Sequence, residues 1–155
     1  MRPREQGFTI LELMIVVVIL AIVAAMALPG LAQAKQSANE AAAIESLRSI
    51  ATVMEQHRTR FGGYPMRWDV IRSHGYLAGF DGEVRADFEG APNVGGKSGY
   101  SFEISSDVSF PWRVAAVPNE PGVTGSRYFY IDSGGVIRQN IGSVATSDSD
   151  PVDGG

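Results

Sequence analysis

The feature that most constrains this chain is an unbroken apolar run near its N-terminus. Of the 21 residues from Phe8 to Leu28, only Thr9 and Glu12 are polar, and 13 are Phe, Leu, Ile or Val. As a helix, the run is roughly 30 Å long, which is the thickness of the hydrocarbon core of a bilayer. Each large apolar residue favours insertion by about 0.5 kcal/mol and a central carboxylate opposes it by roughly 3 kcal/mol. The run is therefore expected to enter a membrane.

Glu12 is the one charged residue in this run. A carboxylate in hydrocarbon is unfavourable without a partner, so an intramembrane acid is a functional hypothesis in itself. If the chain is cut after Gly7, the new α-amino group of Phe8 lies one helical turn from Glu12. The spacing predicts that the amine and the carboxylate act together.

The segment Gly7–Leu13 reads GFTILEL, follows a short basic leader and precedes the apolar run. It resembles the prepilin signature of type IV pilins and type II secretion pseudopilins. The resemblance is close and specific over residues 5–30. The resemblance implies cleavage between Gly7 and Phe8 by a prepilin peptidase, N-methylation of Phe8, and assembly of the helices into a filament core. It further implies that Glu12 is the assembly contact and pairs with the N-terminal amine of a neighbouring subunit.

Charge and cysteine usage place further limits on the chain. Arg2 and Arg4 precede the run, so the positive-inside rule puts the N-terminus in the cytoplasm and the rest of the chain outside. The resemblance implies that this single-pass chain lies in the inner membrane before assembly, and later in a pilus outside the cell or in a periplasmic pseudopilus. Without its leader the chain has 11 basic and 16 acidic residues, which makes it a poor default binder of nucleic acid. The absence of cysteine excludes a disulfide framework, and it departs from many major pilins, whose C-terminal loop is closed by a disulfide.

An ordinary secretory signal is the alternative interpretation of the N-terminus. Residues 2–12 would be its basic region, Leu13–Leu28 its apolar region, and Ala32-Gln33-Ala34 its cleavage site, releasing a soluble domain from Lys35. The apolar region is slightly long for that role, and Glu12 stands where basic residues are expected. The cleavage site would also lie inside a continuing helical pattern, so this interpretation is disfavoured.

The helical part divides at Pro29-Gly30, where the missing N–H and the proline ring predict a kink. Leu31–Phe61 contains no Gly or Pro and is expected to be helical, with Gly62-Gly63 ending it. An apolar stripe in its second half needs a partner surface: Ile44, Leu47, Ile50, Ala51 and Met54. The expected organisation is a leader (1–7), a transmembrane and filament-core helix (8–29), a stem helix (30–61), a head (62–142) and a polar acidic tail (143–155).

The head is expected to consist of a long connection followed by a sheet. Residues 64–99 show little periodicity, apart from one short helical turn at Trp68–Ser73. Beyond Gly99, period-two alternation and turn signals predict four antiparallel strands, the last two joined by a hairpin at Ser133–Gly135. The strands are Tyr100–Ile104, Trp112–Val117, Arg127–Asp132 and Val136–Asn140. The predicted class is α+β and pilin-like: a long N-terminal transmembrane and stem helix packed against a four-stranded antiparallel sheet, with a loose tail.

Residues able to carry catalysis are sparse. His57 and His74 are the only histidines; they do not form an i, i+4 ligand pair and are interpreted as surface residues. Asn93–Gly99 lacks the lysine and helix start of a phosphate loop. We therefore expect no enzyme activity, no catalytic residue and no cofactor. Asp148, Asp150 and Asp153 are a weak calcium candidate, because some pseudopilins hold calcium in a comparable C-terminal loop, but they lack the glycine and bidentate glutamate of an EF-hand.

Charges in the head are segregated. Residues 57–74 carry +3 and residues 81–89 carry −3. The basic stretch is interleaved with Phe61, Tyr64, Trp68 and Tyr76, so contact with DNA is one interpretation. The favoured interpretation is that these arginines meet acids within the head or on the next subunit, and DNA is not an expected partner.

The function predicted from these features is that of a structural, non-enzymatic subunit of a type IV pilus or related filament. Its expected partners are a prepilin peptidase and N-methyltransferase, the inner membrane, and copies of itself and other pilins or pseudopilins. A type II secretion pseudopilin is the alternative within the class. Outside it stand a membrane-tethered or secreted binding module that never polymerises and a secreted enzyme.

Processing gives the first test. We expect a mature chain that begins at N-methylated Phe8, and no such chain when Gly7 is replaced by a bulky residue. N-terminal sequencing and intact mass of the mature protein measure this directly. A mature N-terminus at Lys35 would instead indicate ordinary secretion.

Overall fold

A computed structural model describes residues 8–152 of the chain. Helix α1 spans Ile10–Phe61, helix α2 spans Trp68–Ser73, and a 3₁₀ turn spans Ala86–Phe88. The strands are β1 (Val94–Lys97), β2 (Tyr100–Ser105), β3 (Arg113–Pro118), β4 (Arg127–Asp132), β5 (Arg138–Ile141) and β6 (Asp150–Pro151). Two compact units divide the chain between Ala34 and Lys35.

The described part of the first unit is the N-terminal portion of α1 with two residues before it. From Phe8 to Met26 every side chain is exposed. Within the described residues, α1 is the one helix long and apolar enough to cross a membrane. Its backbone is helical through Pro29 and Gly30, and a kink at this point stays a prediction.

The second unit is built on an antiparallel sheet in which consecutive strands are neighbours, in the order β1-β2-β3-β4-β5-β6. The α+β class is confirmed, but the expected number of four strands is wrong. Strand β1 was not predicted because Gly95 and Gly96 give it no side-chain alternation. A Cβ on Gly95 would come within 2.8 Å of the Trp68 ring, so glycine is required where this strand passes α2. Strand β6 has two residues, too few to show a period.

The core lies between one face of α1 and the inner face of the sheet. Leu47, Ile50 and Met54 are fully buried there, which confirms the predicted stripe, and Ile44 and Ala51 pack at its margin. The helix ends at Phe61, and Gly62 follows it with φ 79°, the left-handed conformation that glycine adopts without strain. The sheet contributes the side chains that alternate toward the helix: Phe102, Ile104, Val114, Ala116, Phe129 and Ile131.

The segment after Gly142 is attached to the sheet at two points, although most of its residues up to Val152 are exposed. Ala145 is 2% exposed and packs with Val117, Tyr128 and Tyr130 on the outer face of the sheet. The Val152 N–H donates to the Ile137 carbonyl at 2.9 Å. One small apolar residue in a polar sequence is a weak signal, so composition alone did not reveal this packing.

A buried polar contact joins α1 to the loop between β3 and β4. Glu40 is 7% exposed, and its Oε1 accepts hydrogen bonds from the backbone N–H groups of Ser126 (2.8 Å) and Arg127 (3.2 Å). Its Oε2 accepts a bond from Nε of Arg127 at 2.8 Å. One residue earlier, Asn39 donates to the carbonyl of Thr124 at 2.9 Å. The loop is therefore fixed to the helix by charge-assisted hydrogen bonds.

Replacing Leu47 or Met54 by Asp tests the core. A buried, unpaired carboxylate costs several kcal/mol, comparable to the whole stability of a small domain. We expect a soluble fragment beginning near Gln33 to fold and to show mixed helix and sheet by circular dichroism, and either variant to lose that signal. Gln56→Asp, on the exposed face of the same helix, should remain folded. An all-helical spectrum of the unsubstituted fragment would contradict the architecture.

Glu40 gives a prediction on the pH dependence of stability. Burial raises the pKa of Glu40, but the hydrogen bonds from Ser126 and Arg127 outweigh it and hold the pKa below its ordinary value. The stabilisation is therefore present above the unfolded-state pKa and lost as pH falls through the lower folded-state pKa. We expect Glu40→Gln to cost about 1–3 kcal/mol at neutral pH, the range for hydrogen bonds to a charged group.

Urea unfolding of the fragment at pH 7 and at pH 3 measures this effect, and the difference between wild type and variant should shrink at pH 3. Glu45→Gln is the matched control. The side chain of Glu45 is 71% exposed, and its ion pair with Arg48 is long, at 3.6 Å, so its loss should change stability little. An equal loss at both pH values would show that the charge of Glu40 does not contribute.

Candidate functional site

The site proposed from the sequence lies at the first turn of α1, where Thr9 and Glu12 form a reciprocal pair. The Thr9 N–H and the Thr9 hydroxyl donate to Oε2 of Glu12 at 3.0 and 2.8 Å. In return the Glu12 N–H donates to the Thr9 hydroxyl at 3.2 Å. This is a capping box, which satisfies N–H groups that have no partner inside the helix. A carboxylate at this position also interacts favourably with the positive end of the helix dipole.

The capping box shows that Glu12 is not without partners in a single chain, which the sequence analysis missed. The signal was present as Thr-x-x-Glu directly before an apolar run. Both donors bind the same carboxylate oxygen, and Oε1 accepts no hydrogen bond from the residues that the structure describes. Glu12 is thereby oriented by its own chain and keeps one oxygen for another donor.

The surroundings of Glu12 are apolar and uncovered. Phe8 is 77% exposed, and Ile10, Leu11 and Leu13 are exposed as well. A continuous apolar surface of this kind is unfavourable in water and belongs in hydrocarbon or against other apolar helices. A carboxylate with a spare acceptor at the edge of such a surface can bind a cation from a neighbouring helix.

Several residues of the sequence hypothesis lie outside the described residues or are not brought together. Gly7 lies outside them, so the cleavage site has no structural account. Asp153 of the calcium candidate also lies outside. Asp148 and Asp150 line a shallow cavity of about 260 Å³ with Gln139, Asn140, Thr146 and Ser149. Within residues 8–152, no group of three or more His, Asp or Glu side chains is placed to hold a metal ion, so Asp148 and Asp150 have no third such ligand beside them.

Two ion pairs form within the charged stretches, and the net charges of +3 and −3 already include them. Arg67 pairs with Asp69 at 2.8 Å, and Arg85 pairs with Asp87 at 2.7 Å, each within its own stretch. Trp68 is fully buried and donates its Nε1–H to the carbonyls of Asn93 and Phe102, so it is not a stacking surface for nucleic acid. Arg58 and Arg67 of the basic stretch thus meet acids within the chain, whereas Arg60 and Arg72 form no ion pair with the described residues, so their partners stay a prediction.

The two histidines were interpreted as surface residues, which is correct for His74, an exposed residue, and wrong for His57. His57 is 8% exposed, and its ring centroid lies 5.4 Å from that of His74. The chain returns to the end of α1 after the turn at Gly62-Gly63 and helix α2, which the 17-residue separation in sequence did not reveal. Neither histidine has a hydroxyl group within hydrogen-bonding distance among the described residues, so no nucleophile–base pair forms there.

Comparison with known proteins agrees with this geometry. Residues 2–28 match the family described as "Prokaryotic N-terminal methylation motif". Residues 2–28 are therefore similar to the N-terminal methylation segment that this family describes. The segment contains Gly7, Phe8, Thr9 and Glu12, so the capping box belongs to it.

Similar curated proteins carry one name, Type II secretion system core protein G. The chain is 32% identical to that of Pectobacterium carotovorum subsp. carotovorum over 62 residues, 40% of each chain. It is 31% identical to that of Dickeya chrysanthemi over 65 residues, 42% of each chain, and 32% identical to that of Aeromonas hydrophila over 64 residues, 41% of this chain and 45% of the relative. The chain thus spans less than half the length of the curated relatives it matches, and no solved structure matches it.

Proposed function

We propose that the protein is a structural, non-catalytic subunit of a pilus-like filament that polymerises through the N-terminal part of α1. The observation that carries this proposal is Glu12, held by its own chain through Oε2, with Oε1 available at the edge of an exposed apolar helix. The prepilin-type segment supports cleavage between Gly7 and Phe8 and methylation of the new amine. The processing enzyme would be a prepilin peptidase and N-methyltransferase.

Assembly in this proposal is driven by an electrostatic contact in an apolar medium. Before assembly, residues 8–29 anchor the chain in the inner membrane, with the N-terminus on the cytoplasmic side. The amine of Phe8 on one chain then binds the Glu12 carboxylate of another. Attraction between opposite charges is much stronger in a low dielectric than in water. Because the desolvation cost of the carboxylate is already borne in the membrane, pairing relieves a penalty.

The relatives support one filament type over the other. Those reported above are core proteins of type II secretion systems, which favours a periplasmic pseudopilus over a surface pilus. In either filament the partners are copies of this chain and other pilins or pseudopilins. The function requires no cofactor.

Glu12→Gln tests the proposal, because it keeps the shape of the side chain and removes its charge. We expect the variant to be inserted and processed but to enter filaments poorly. The measurement is the fraction of subunit in filaments, taken as sheared filaments for a surface pilus or as crosslinked oligomers for a periplasmic pseudopilus, relative to membrane-bound subunit. The cells express the variant as the only copy.

Thr9→Val is the matched control. It removes the hydroxyl of the capping box, which costs about 1 kcal/mol of helix stability, and leaves the carboxylate charged. We expect this variant to assemble much better than Glu12→Gln. Filament yield at the wild-type level from Glu12→Gln would overturn the proposal and favour a membrane-tethered module that does not polymerise. Equal losses in the two variants would show that the cap, and not the charge, is needed.

A further inference from the structure

The end of α1 carries a histidine whose ring is held in one orientation. Nδ1 of His57 lies 2.7 Å from the carbonyl oxygen of Gly63. A carbonyl only accepts hydrogen bonds, so Nδ1 carries the proton and Nε2 of the neutral ring carries a lone pair. Nε2 accepts no hydrogen bond from the described residues, and none of their buried side-chain N or O atoms lacks a partner. It follows that Nε2 of His57 reaches solvent although most of the ring is covered.

The second histidine is brought to this ring by the turn and by α2. His74 directly follows α2, is exposed, and makes no side-chain hydrogen bond with the described residues. Phe61 packs against both imidazoles, at 4.7 Å from the centroid of His57 and 4.5 Å from that of His74. Tyr76 lies beside them, 6.3 and 6.0 Å from the same two centroids. The two rings are therefore packed side by side against a common aromatic surface.

The spacing of the rings matches that of two imidazoles on one metal ion. A metal–nitrogen bond of about 2.0–2.1 Å places the ion about 3.2 Å from each ring centroid, and at a tetrahedral angle the two centroids are then about 5.2 Å apart. The observed separation is 5.4 Å. The hydrogen bond from Nδ1 of His57 to a backbone carbonyl is also the arrangement that orients histidine ligands in metal sites.

We propose that His57 and His74 form a binding site for a transition-metal ion that prefers imidazole, of the Zn²⁺, Ni²⁺ or Cu²⁺ class. Nε2 of His57 and one ring nitrogen of His74 are the protein ligands, and water completes the coordination. Imidazole ligands select this class over Ca²⁺ and Mg²⁺. Arg60, whose guanidinium lies 5.3 Å from the ring centroid of Phe61, places a positive charge near the site and limits its affinity. The ion would join the end of α1 to the segment after α2.

Zinc titration of the full-length protein in detergent micelles, with no histidine tag, tests the proposal. We expect one Zn²⁺ per chain by isothermal calorimetry, a higher Tm with Zn²⁺ present because the ion binds only the folded state, and a shift of the imidazole ¹⁵N resonances of both histidines. His74→Asn should weaken binding at least tenfold and abolish the rise in Tm. His74 is exposed, so this variant is expected to fold.

Ser73→Asn is the matched control, since it alters the adjacent exposed residue and should bind Zn²⁺ as the wild type does. His57→Asn should also lose binding, and its circular dichroism shows whether loss of the Gly63 contact has unfolded the end of the helix. Absence of binding to the wild type, or unchanged affinity in His74→Asn, would overturn the proposal. A shift confined to one imidazole would overturn it as well.

Discussion

The second unit depends on the burial of one face of α1 against the sheet. Leu47, Ile50 and Met54 are fully buried, and the apolar positions of β2, β3 and β4 close over them. At about 25 cal/mol per Å² of apolar surface, this packing is the main favourable term available to a chain without disulfides. The N-terminal half of the same helix is apolar but uncovered from Phe8 to Met26. One helix thus presents two apolar surfaces, of which the chain itself covers only the second.

The uncovered surface needs an environment outside the chain, and Glu12 lies at its beginning. The capping box makes this carboxylate tolerable in an isolated subunit, because two donors from Thr9 bind Oε2. The same hydrogen bonds hold the side chain in place and leave Oε1 as the oxygen that can accept a bond from another chain. A residue that stabilises the helix end in the monomer is thereby also oriented for a contact between chains. The cap and the proposed assembly contact are compatible since they use different oxygens.

Most of the fold could be predicted from the sequence where a period was long enough to be recognised. Helix on both sides of Pro29-Gly30, the buried stripe and the central strands followed from the residue pattern, although the structure has one helix from Ile10 to Phe61 where two segments were expected. The short helix at Trp68–Ser73 was also expected, as a single turn. Strand β1 did not. Glycine is required at Gly95 by the ring of Trp68 and at Gly96 by the backbone of Gly82 and Glu83, and neither residue contributes to side-chain alternation. Glu12 could be identified as the candidate site from its charge alone. The contact between His57 and His74 could not, since it depends on how a turn and a short helix return the chain to the end of α1.

Polar contacts attach α1 to the rest of the second unit where large apolar side chains are lacking. The stretch before Ile44 is rich in alanine and offers little large apolar surface, so Gln36, Asn39 and Glu40 bind the loop between β3 and β4 instead. Glu55 supplies the second fixed point, where its Oε1 accepts bonds from Tyr64 at 3.1 Å and Trp112 at 3.4 Å.

These two glutamates are about 22 Å apart along the helix. An apolar face by itself tolerates small changes in register, whereas directed hydrogen bonds at two distant positions do not. The hydrogen bonds of Glu40 and Glu55 therefore add a directional constraint on the register of α1 against the sheet, while the free energy of packing comes from the stripe between them.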